Sequence, residues 1–339
     1  MQRSSVTALA SILAIVGSIC LPGIGHAQTT YTLTQVAPIS GAVSTTVTGL
    51  NDEGDLALTV NNGPTVATYL WRRGIETNIG GLTPSPQFVE SGGLNDLVQM
   101  VGTTISATSG TFSAFVWGQG HMTELPTPPG STAAFGIQIN LLGQIVGQVF
   151  DANFNANAAL WNHGTLTLLP GIAGGDASQP VGINIRGEIV GISNDASNVP
   201  NTVVWKQGAL TVLINNAIPG AINDEGKVVG TLLGTPRPFL WQNGVTTQLP
   251  ALPGMTATGI ASGINDWGQI VGSMSNVAVV WQNGTAIDLN SRIATTDPMQ
   301  PYVYLRAASQ INNLGQIVAS GADSRSSNAE QWYLLTPVN

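Results

Sequence analysis

The chain has 339 residues, a formal net charge of −8 and an apolar fraction of 43%. Only 8% of its residues are charged, compared with about 25% in typical globular proteins. Nucleic acids and anionic membrane surfaces attract proteins through clustered Lys and Arg, and this chain has 10 such residues against 18 acidic ones. The composition therefore argues against both partners and predicts a surface of Thr, Ser, Asn, Gln and Gly.

The first 27 residues have the features of a signal peptide. Arg3 supplies a positive start, residues 8–20 form an apolar run too short to span a bilayer, and Ala27 ends a small-residue cleavage site. Cleavage after Ala27 leaves 339 − 27 = 312 residues with 9 basic and 18 acidic side chains. The sole cysteine, Cys20, leaves with the leader, so we expect a secreted or periplasmic protein without disulfides. Lipidation of Cys20 is disfavoured because Ile19 stands where a small residue is needed.

The rest of the chain contains seven copies of a two-part repeat. The first part is an aliphatic-Asn pair followed by a turn, and its asparagines are Asn51, Asn95, Asn140, Asn184, Asn223, Asn265 and Asn312. The second part is a Trp followed by another turn, and its tryptophans are Trp71, Trp117, Trp161, Trp205, Trp241, Trp281 and Trp332. The asparagines are 44, 45, 44, 39, 42 and 47 residues apart, a period that is typical of repeat proteins.

Each repeat has the pattern of two β-hairpins. In the sixth repeat, the β-branched runs on either side of residues 265–268 (NDWG) predict the first hairpin, and Asn283-Gly284 after Trp281 predicts the second. Four short antiparallel strands in about 43 residues match the size of a propeller blade. The sequence therefore predicts an all-β fold, a seven-bladed β-propeller of four-stranded antiparallel blades, formed by residues 28–339 as one domain.

The ends of the chain predict how the ring closes. The seventh repeat supplies three strands and then stops, whereas residues 31–36 form a strand that has no repeat of its own. Pairing residues 31–36 with residues 331–337 completes the seventh blade and removes an exposed sheet edge, which is an aggregation hazard. We therefore expect these two strands to be neighbours.

The repeat resembles a known bacterial family. Residues 248–254 (QLPALPG) run into residues 263–272 (GINDWGQIVG), and this pattern is similar to the HAF extracellular repeat, named for a His-Ala-Phe tripeptide before the aliphatic-Trp pair. Residues 113–115 and 237–239 keep the Phe, no copy keeps the His, and Val98 replaces the turn glycine of the second repeat. The resemblance covers nearly the whole chain after the leader. It implies an exported, propeller-like protein and no defined activity.

Strand order places the variable loops at one end of the ring. In an antiparallel blade, the turns after the Asn and after the Trp lie at the same end, which we call the Asn-turn end. The loops between the second and third strands and between blades lie at the opposite, variable end, and they include residues 103–113, 148–157, 192–201 and 290–305. Binding residues concentrate on variable loops that a rigid scaffold holds. The variable end is therefore the predicted binding face.

One stretch at the variable end concentrates residue types that are common in recognition sites. Arg and aromatic side chains are enriched in binding hot spots. The predicted ligand- or partner-binding residues are Arg292, Asp297, Tyr302, Tyr304 and Arg306, together with Arg237 two blades earlier. The alternation over residues 302–305 also fits an innermost strand, and in that case these residues belong to the core.

Two other repeated features favour scaffold roles. The Asn turns, such as residues 51–55, offer oxygen ligands for calcium, but Leu141 and Ile185 replace the Asp in two copies, which favours turns that satisfy their own backbone. The recurring Trp fits a wedge between blades better than a platform for sugars. Trp267 differs, because it lies inside a turn and is a candidate partner contact.

No catalytic group stands out. His121 and His163 are the only histidines after the leader, and they lie beside Trp turns. Neither a nucleophile elbow nor a metal-binding spacing accompanies them. We therefore predict no catalytic residue, no metal site and no cofactor.

The sequence leaves three functions open. We favour an exported, monomeric, non-enzymatic binding propeller whose ligand is a glycan, a protein or another surface partner, without a membrane span. The first alternative is a glycosidase or lyase that assembles carboxylates at the central cavity; the loop acids for this role are Asp151, Asp176, Asp195 and Asp297. The second alternative is a structural protein of the cell envelope. Enzymatic activity is thus disfavoured but open.

Overall fold

The computed structural model describes residues 29–36, 39–84, 86–106, 108–326 and 329–338. These residues form seven four-stranded antiparallel sheets and one short 3-10 helix, so the prediction of a seven-bladed β-propeller is confirmed. The predicted leader, residues 1–27, lies outside the described residues. Among the residues that are described, no helix is long and apolar enough to cross a membrane.

Each blade consists of strands that follow one another along the chain. Blade 1 contains β2 Ser44–Leu50, β3 Leu56–Asn61, β4 Val66–Arg72 and β5 Ile75–Asn78. Blade 2 contains β6 Val89–Leu94, β7 Met100–Ile105, β8 Phe112–Gly118 and β9 His121–Glu124. Blade 3 contains β10 Ala133–Ile139, β11 Ile145–Phe150, β12 Ala156–Asn162 and β13 Thr165–Leu168. Blade 4 contains β14 Ser178–Ile183, β15 Ile189–Asn194, β16 Pro200–Lys206 and β17 Ala209–Ile214. Blade 5 contains β18 Ala217–Ile222, β19 Val228–Leu232, β20 Arg237–Gln242 and β21 Val245–Gln248. Blade 6 contains β22 Gly259–Ile264, β23 Ile270–Met274, β24 Val277–Gln282 and β25 Thr285–Asp288.

Blade 7 closes the ring. It contains β26 Val303–Ile311, β27 Ile317–Asp323 and β28 Glu330–Val338, and β1 Thr30–Val36 adds its fourth strand. β1 pairs with β28 in antiparallel register from Thr30↔Val338 to Val36↔Trp332, so the predicted closing pair is confirmed. The 3-10 helix Leu289–Arg292 lies in the connection between blades 6 and 7. Because β1 precedes blade 1 in the chain and completes blade 7, it ties the two ends of the ring together.

The asparagines of the first turns form a hydrogen-bonded ring around the central channel, which we call the Asn ring. All seven are buried, and each side-chain Nδ2 donates to the main-chain carbonyl of the corresponding Asn in the next blade, at 2.9 to 3.4 Å. Each Oδ1 accepts from the amide four residues later, at 2.8 to 3.0 Å. The side chain thus closes its own turn and joins its blade to the next, which explains why Asn recurs there.

The tryptophans pack between neighbouring blades, as the sequence predicted. The indole N–H of Trp161 in blade 3 donates to the carbonyl of Pro126, which follows blade 2, at 2.7 Å. Trp205 of blade 4 makes the same bond to Pro170. A Cβ atom at Gly191 would stand 2.7 Å from Cζ3 of the Trp205 ring. The glycine of the Ile-Val-Gly motif therefore makes room for the tryptophan of its own blade, and this contact couples the two parts of the repeat.

The two repeated turns require different backbone conformations. In the Trp turns both central residues have positive φ, for example 51° at Asn283 and 73° at Gly284, as a type I′ hairpin requires. In the Asn turns one residue has positive φ, and it is Gly in six blades. In blade 2 it is Val98, at φ 57°, a conformation that is costly for a β-branched residue.

Replacing Val98 by Gly is expected to stabilise the protein. The left-handed conformation costs an ordinary residue roughly 1–2 kcal/mol, part of which the extra freedom of Gly in the unfolded chain offsets. We expect a gain of about 0.5–1 kcal/mol in the free energy of unfolding, measured by urea denaturation. The reciprocal variant Gly143→Val should lose roughly 1–2 kcal/mol. A destabilised Val98→Gly variant would mean that the packing of Val98 outweighs its backbone strain.

Glu188 forms the main ion-pair centre of the Asn-turn end. It accepts hydrogen bonds of 2.8 Å from Arg186 and Asn184 and pairs with Lys206 at 2.8 Å. Burial by itself raises the pKa of Glu188, but the hydrogen bonds from Lys206, Arg186 and Asn184 outweigh it and lower the pKa to about 2. The carboxylate is therefore more stable in the folded chain than in the unfolded one.

The stability that Glu188 contributes is expected to disappear in acid. Because its pKa is lowered on folding, the contribution is complete above the unfolded pKa of about 4.3 and is lost as the pH falls towards 2. We expect Glu188→Gln to lower the free energy of unfolding by about 1–2 kcal/mol at pH 7 and to change it little at pH 2. The effect at pH 7 is modest because the charged ends of Lys206 and Arg186 are exposed to solvent. Glu76→Gln on the exposed strand β5 is the control, and equal pH profiles for the two variants would contradict this account.

Candidate functional site

The predicted binding residues around blade 7 have different surroundings in the structure. Asp297 is buried, and its carboxylate accepts from the amides of Leu33 and Met299 at 2.7 and 2.8 Å. Because Leu33 belongs to β1, Asp297 ties the loop after the 3-10 helix to the closing strand. Asp297 is therefore placed as a scaffold residue and not as a ligand contact.

Tyr302 and Tyr304 lie on the surface, as a binding role requires. Both are nearly half exposed, and the Arg325 guanidinium lies 4.6 Å from the centre of the Tyr302 ring. Tyr304 lies near the start of the innermost strand β26, between the buried Val303 and Leu305. The alternation seen in the sequence is thus that of a strand, and its exposed members face away from the core.

The three predicted arginines do not form one cluster. Arg306 is bound to Glu330 at 2.8 Å within blade 7. Arg292 ends the 3-10 helix, and its charge acts on Tyr31 of the closing strand. Arg237 lies at the start of β20 in blade 5, where it donates to Gln248 at 3.3 Å. The proposed Arg–Tyr surface is therefore divided between two blades.

Two of the loop carboxylates of the enzyme alternative, Asp151 and Asp195, are held within their own loops, and Asp176 is bound to the end of β15. Asp151 accepts from the amides of Asn153 and Asn155, and the hydrogen bonds from the Asn155 side chain and from these amides lower the pKa of Asp151. Asp195 accepts from two amides of its own loop in the same way, and Asp176 accepts from Asn194 at 3.1 Å. These three acids do not line any of the cavities described below.

A different set of acids surrounds the channel at the Asn-turn end. Asp52, Asp96, Asp224 and Asp266 line a cavity of about 430 Å³ together with four members of the Asn ring. Each carboxylate accepts from a main-chain amide of the preceding blade: Asp96 accepts from Asp52 at 2.7 Å, and Asp266 accepts from Asp224 at 2.8 Å. They therefore form a second set of ties between blades.

Crowding and burial affect the protonation of two of these acids. Burial raises the pKa of Asp96, and repulsion from Asp52 adds to this effect, while the hydrogen bond from the Asp52 amide opposes it. Burial also raises the pKa of Asp224, and the negative charge of Asp266 acts in the same direction. Among the described residues, no group of three or more His, Cys, Asp or Glu side chains is placed to hold a metal ion. His121 and His163 lie apart from these acids, exposed beside the Trp turns of blades 2 and 3.

The strongest aromatic feature of the variable end was not predicted. Four phenylalanines of blades 2 and 3, which we call the Phe cluster, are Phe88, Phe112, Phe135 and Phe150. The rings of Phe112 and Phe135 stack with centres 5.9 Å apart and planes at 30°. Phe88 packs edge-on against Phe112 at 5.1 Å, and Phe150 packs edge-on against Phe135 at 5.5 Å. Phe112 nevertheless remains 42% exposed, so the cluster presents an ordered aromatic surface to solvent.

Two cavities adjoin the Phe cluster. The inner cavity, of about 230 Å³, lies beside the innermost strands, and Phe135, Glu90, Gln148 and Gln179 line it with parts of β6, β7 and β10. The peripheral cavity, of about 340 Å³, is bounded by Phe112, by Glu124 and by the loops at residues 109–113 and 127–131. Because Phe112 lines one cavity and Phe135 the other, the stacked pair lies between them.

A sequence signal for this surface existed. Six of the seven phenylalanines lie between residues 88 and 154, and four of them converge at the variable end. The predicted binding residues are instead Arg, Tyr and Asp side chains, most of them in the long loop at residues 290–305. Composition alone could have marked blades 2 and 3, but it could not have shown that the rings stack.

The Asn-turn end also exposes apolar side chains, in its turns. Trp267 is 79% exposed, and its indole N–H donates to the carbonyl of Asn313 in the next blade at 2.9 Å. Other exposed apolar residues in the Asn turns are Leu97, Leu141, Leu142, Ile185 and Leu314. They are distributed around the channel mouth, so this end offers a second surface whose contribution to binding must be separated from that of the variable end.

Comparison with family models and curated proteins gives no match to the chain. Among solved structures it is similar to YCF48 from Cyanidioschyzon merolae, with 11% identity and a TM-score of 0.54 over 90% of this chain and 99% of that chain. It is also similar to the acylaminoacyl peptidase of Pyrococcus horikoshii, with 9% identity and a TM-score of 0.55 over 87% of this chain. The match covers 52% of the peptidase, so the chain spans about half of that protein's length.

A third similar structure is the β-propeller domain of the Trilobed protease from Pyrococcus furiosus, with 8% identity and a TM-score of 0.54 over 87% of this chain and 94% of that chain. That propeller is described as having an open velcro topology, whereas β1 closes the ring of the present chain. At these identities the likeness establishes the fold alone, and propellers serve both enzymes and binding proteins. The chain is a seven-bladed β-propeller.

Proposed function

We propose that the protein is a non-enzymatic binding module whose ligand or surface partner contacts the variable end. The Phe cluster carries this proposal. Its exposed ring, Phe112, is fixed by its aromatic neighbours and lines the peripheral cavity, while its stacking partner Phe135 lines the inner cavity. A rigid aromatic surface beside a cavity gives affinity at a low entropic cost, because little has to be ordered when a ligand binds.

Export belongs to the same proposal. The leader at residues 1–27 and the resemblance to HAF repeats support a secreted or periplasmic location. Expression of the complete chain in a bacterium, followed by mass spectrometry of the periplasm and medium, tests this part. The expected species begins at Gln28, and an uncleaved cytosolic protein would refute it.

An enzyme of the glycosidase or lyase class is the second candidate. The observation that favours it is the cavity at the Asn-turn end, where burial and neighbouring charges raise the pKa of Asp96 and Asp224. Acids with raised pKa are suited to proton donation. Against it, the carboxylates of Asp96 and Asp224 each accept a hydrogen bond from a main-chain amide of the preceding blade, which gives them a structural role.

Turnover and the place of binding separate these candidates. The protein beginning at Gln28 is incubated with chromogenic glycosides, polyuronates and envelope preparations, and product release and retention are both measured. We expect retention without product, with hydrogen-exchange protection in the loops of the variable end. If product forms and either Asp96→Asn or Asp224→Asn abolishes it, the protein is an enzyme. Protection confined to the Asn turns would overturn the proposed binding face, and neither retention nor turnover would leave a structural envelope role.

A further inference from the structure

We infer that the two cavities beside the Phe cluster form a binding site for a neutral oligosaccharide, a statement that rests on the proposed binding function and gives it a ligand class. The stacked Phe112–Phe135 pair lies between an inner and a peripheral cavity, so a ligand that lies across the exposed edge of the pair can reach both. The inner cavity, of about 230 Å³, is below the usual range of ligand pockets, and the peripheral one, of about 340 Å³, is at its lower end. A ligand that fills both must therefore have at least two linked rings.

The aromatic rings supply the apolar contact that a sugar needs. The C–H face of a pyranose is apolar and flat, and it packs on aromatic rings in the same way as other apolar groups do. Edge-on contacts from Phe88 and Phe150 hold Phe112 and Phe135 in place. The exposed surface of Phe112 is thus ready for a ligand before one binds, and little entropy is lost in ordering it.

The polar groups of the inner cavity match the hydroxyl groups of a sugar. The Nε2 of Gln148 donates a hydrogen bond to the carbonyl of Ser178 at 3.1 Å, and this bond fixes the side-chain amide. The Oε1 of Gln148 accepts no hydrogen bond from any described residue. The side chains of Glu90 and Gln179 are exposed and make neither a hydrogen bond nor an ion pair with another described residue. A carboxylate accepts, and a primary amide both donates and accepts, so together these groups can pair with vicinal hydroxyls.

Charge restricts the kind of sugar. The only charged side chains that line the two cavities among the described residues are the acidic Glu90 and Glu124. The chain as a whole is also acidic. Uronic acids, sulfated sugars and phosphates would meet repulsion without a compensating cation. The site therefore favours a neutral saccharide over an anionic one.

The test combines selectivity with matched variants. The protein beginning at Gln28 is screened on a glycan array, and the hits are titrated by calorimetry with short neutral oligosaccharides such as cellotriose, maltotriose and chitotriose, beside oligouronates. We expect neutral oligosaccharides to bind, and Phe112→Ala and Gln179→Ala each to weaken binding by about tenfold or more. Phe154→Ala is the control, because Phe154 is an exposed phenylalanine of a neighbouring loop outside the cluster, and it should change affinity by less than about twofold.

Each other outcome overturns the inference. Preferential binding of oligouronates contradicts the charge argument, and neutral binding that both variants leave unchanged places the sugar elsewhere. Absence of saccharide binding removes the ligand class but leaves the proposed binding function to its own test with envelope preparations. Gln179→Ala removes an exposed side chain that has no partner among the described residues, so the test does not depend on Phe112→Ala folding normally. Saturation transfer from aromatic ring protons of the protein to the C–H protons of the bound sugar gives a second, independent measurement, and its loss in Phe112→Ala is the expected result.

Discussion

Deleting β1, residues 29–36, is expected to lower the melting temperature by roughly 10 °C or more. The strand buries Tyr31, Leu33 and Val36 against blade 7, and each such side chain contributes about 1.5–3 kcal/mol. The deletion also removes the partner of β28 and leaves an open edge in the ring. We therefore expect both a lower melting temperature, followed by circular dichroism, and self-association, followed by light scattering.

A peptide supplied in trans is the control for this prediction. The peptide of residues 29–36 should restore the melting temperature of the deleted chain, because it can pair again with β28. The same peptide with Leu33→Asp should fail, since Leu33 is buried and its amide donates to Asp297. A deleted chain that melts within about 2 °C of the intact protein and stays monomeric would show that closure contributes little to stability.

Replacing a member of the Asn ring is expected to lower the free energy of unfolding by about 3 kcal/mol. Asn140 donates to the carbonyl of Asn184 at 2.9 Å and accepts from the amides of Leu142 and Gln144 at 3.1 and 3.0 Å. In Asn140→Ala these buried groups lose their partner, and each unsatisfied group costs about 1–3 kcal/mol. Urea denaturation measures the loss, and hydrogen exchange should show faster opening of the Asn turns in blades 3 and 4.

Asn153→Ala is the matched control for the Asn ring. Asn153 lies on the exposed loop between β11 and β12 of the same blade, so its replacement should change the free energy of unfolding by less than about 0.5 kcal/mol. Equal effects of Asn140→Ala and Asn153→Ala would mean that the ring of hydrogen bonds does not hold the blades together.

The fold could be predicted because its signals are local and repeated. Asn265 and Gly268 specify one turn, Asn283 and Gly284 specify another, and the apolar runs between them specify strands. Seven copies of such a unit leave few ways to bury their apolar faces other than a ring. The unpaired strand at residues 31–36 then identified the closing blade, and the register of β1 and β28 agrees with that prediction.

The candidate site could not be predicted to the same extent, because its residues do not repeat. Asp297 and Arg306 were chosen for their chemistry, yet the structure pairs one with main-chain amides and the other with Glu330. Phe112 and Phe135 are 23 residues apart in the sequence and belong to different blades, so only the angle between adjacent blades brings their rings together. Residue type alone indicates what a side chain can bind, whereas its neighbours decide whether it is free to do so.

The number of blades and the place of each turn can be read from the sequence, since both follow from turn residues and apolar patterns within about 45 residues of one another. The manner of closure can be read as well, because the last repeat lacks one strand and residues 31–36 form a strand without a repeat. Only the tertiary structure decided how the Asn side chains are used, because their Nδ2 atoms reach the carbonyls of the next blade. The tertiary structure also decided which surface is aromatic. That property depends on contacts between blades, and no pattern within a single repeat encodes them.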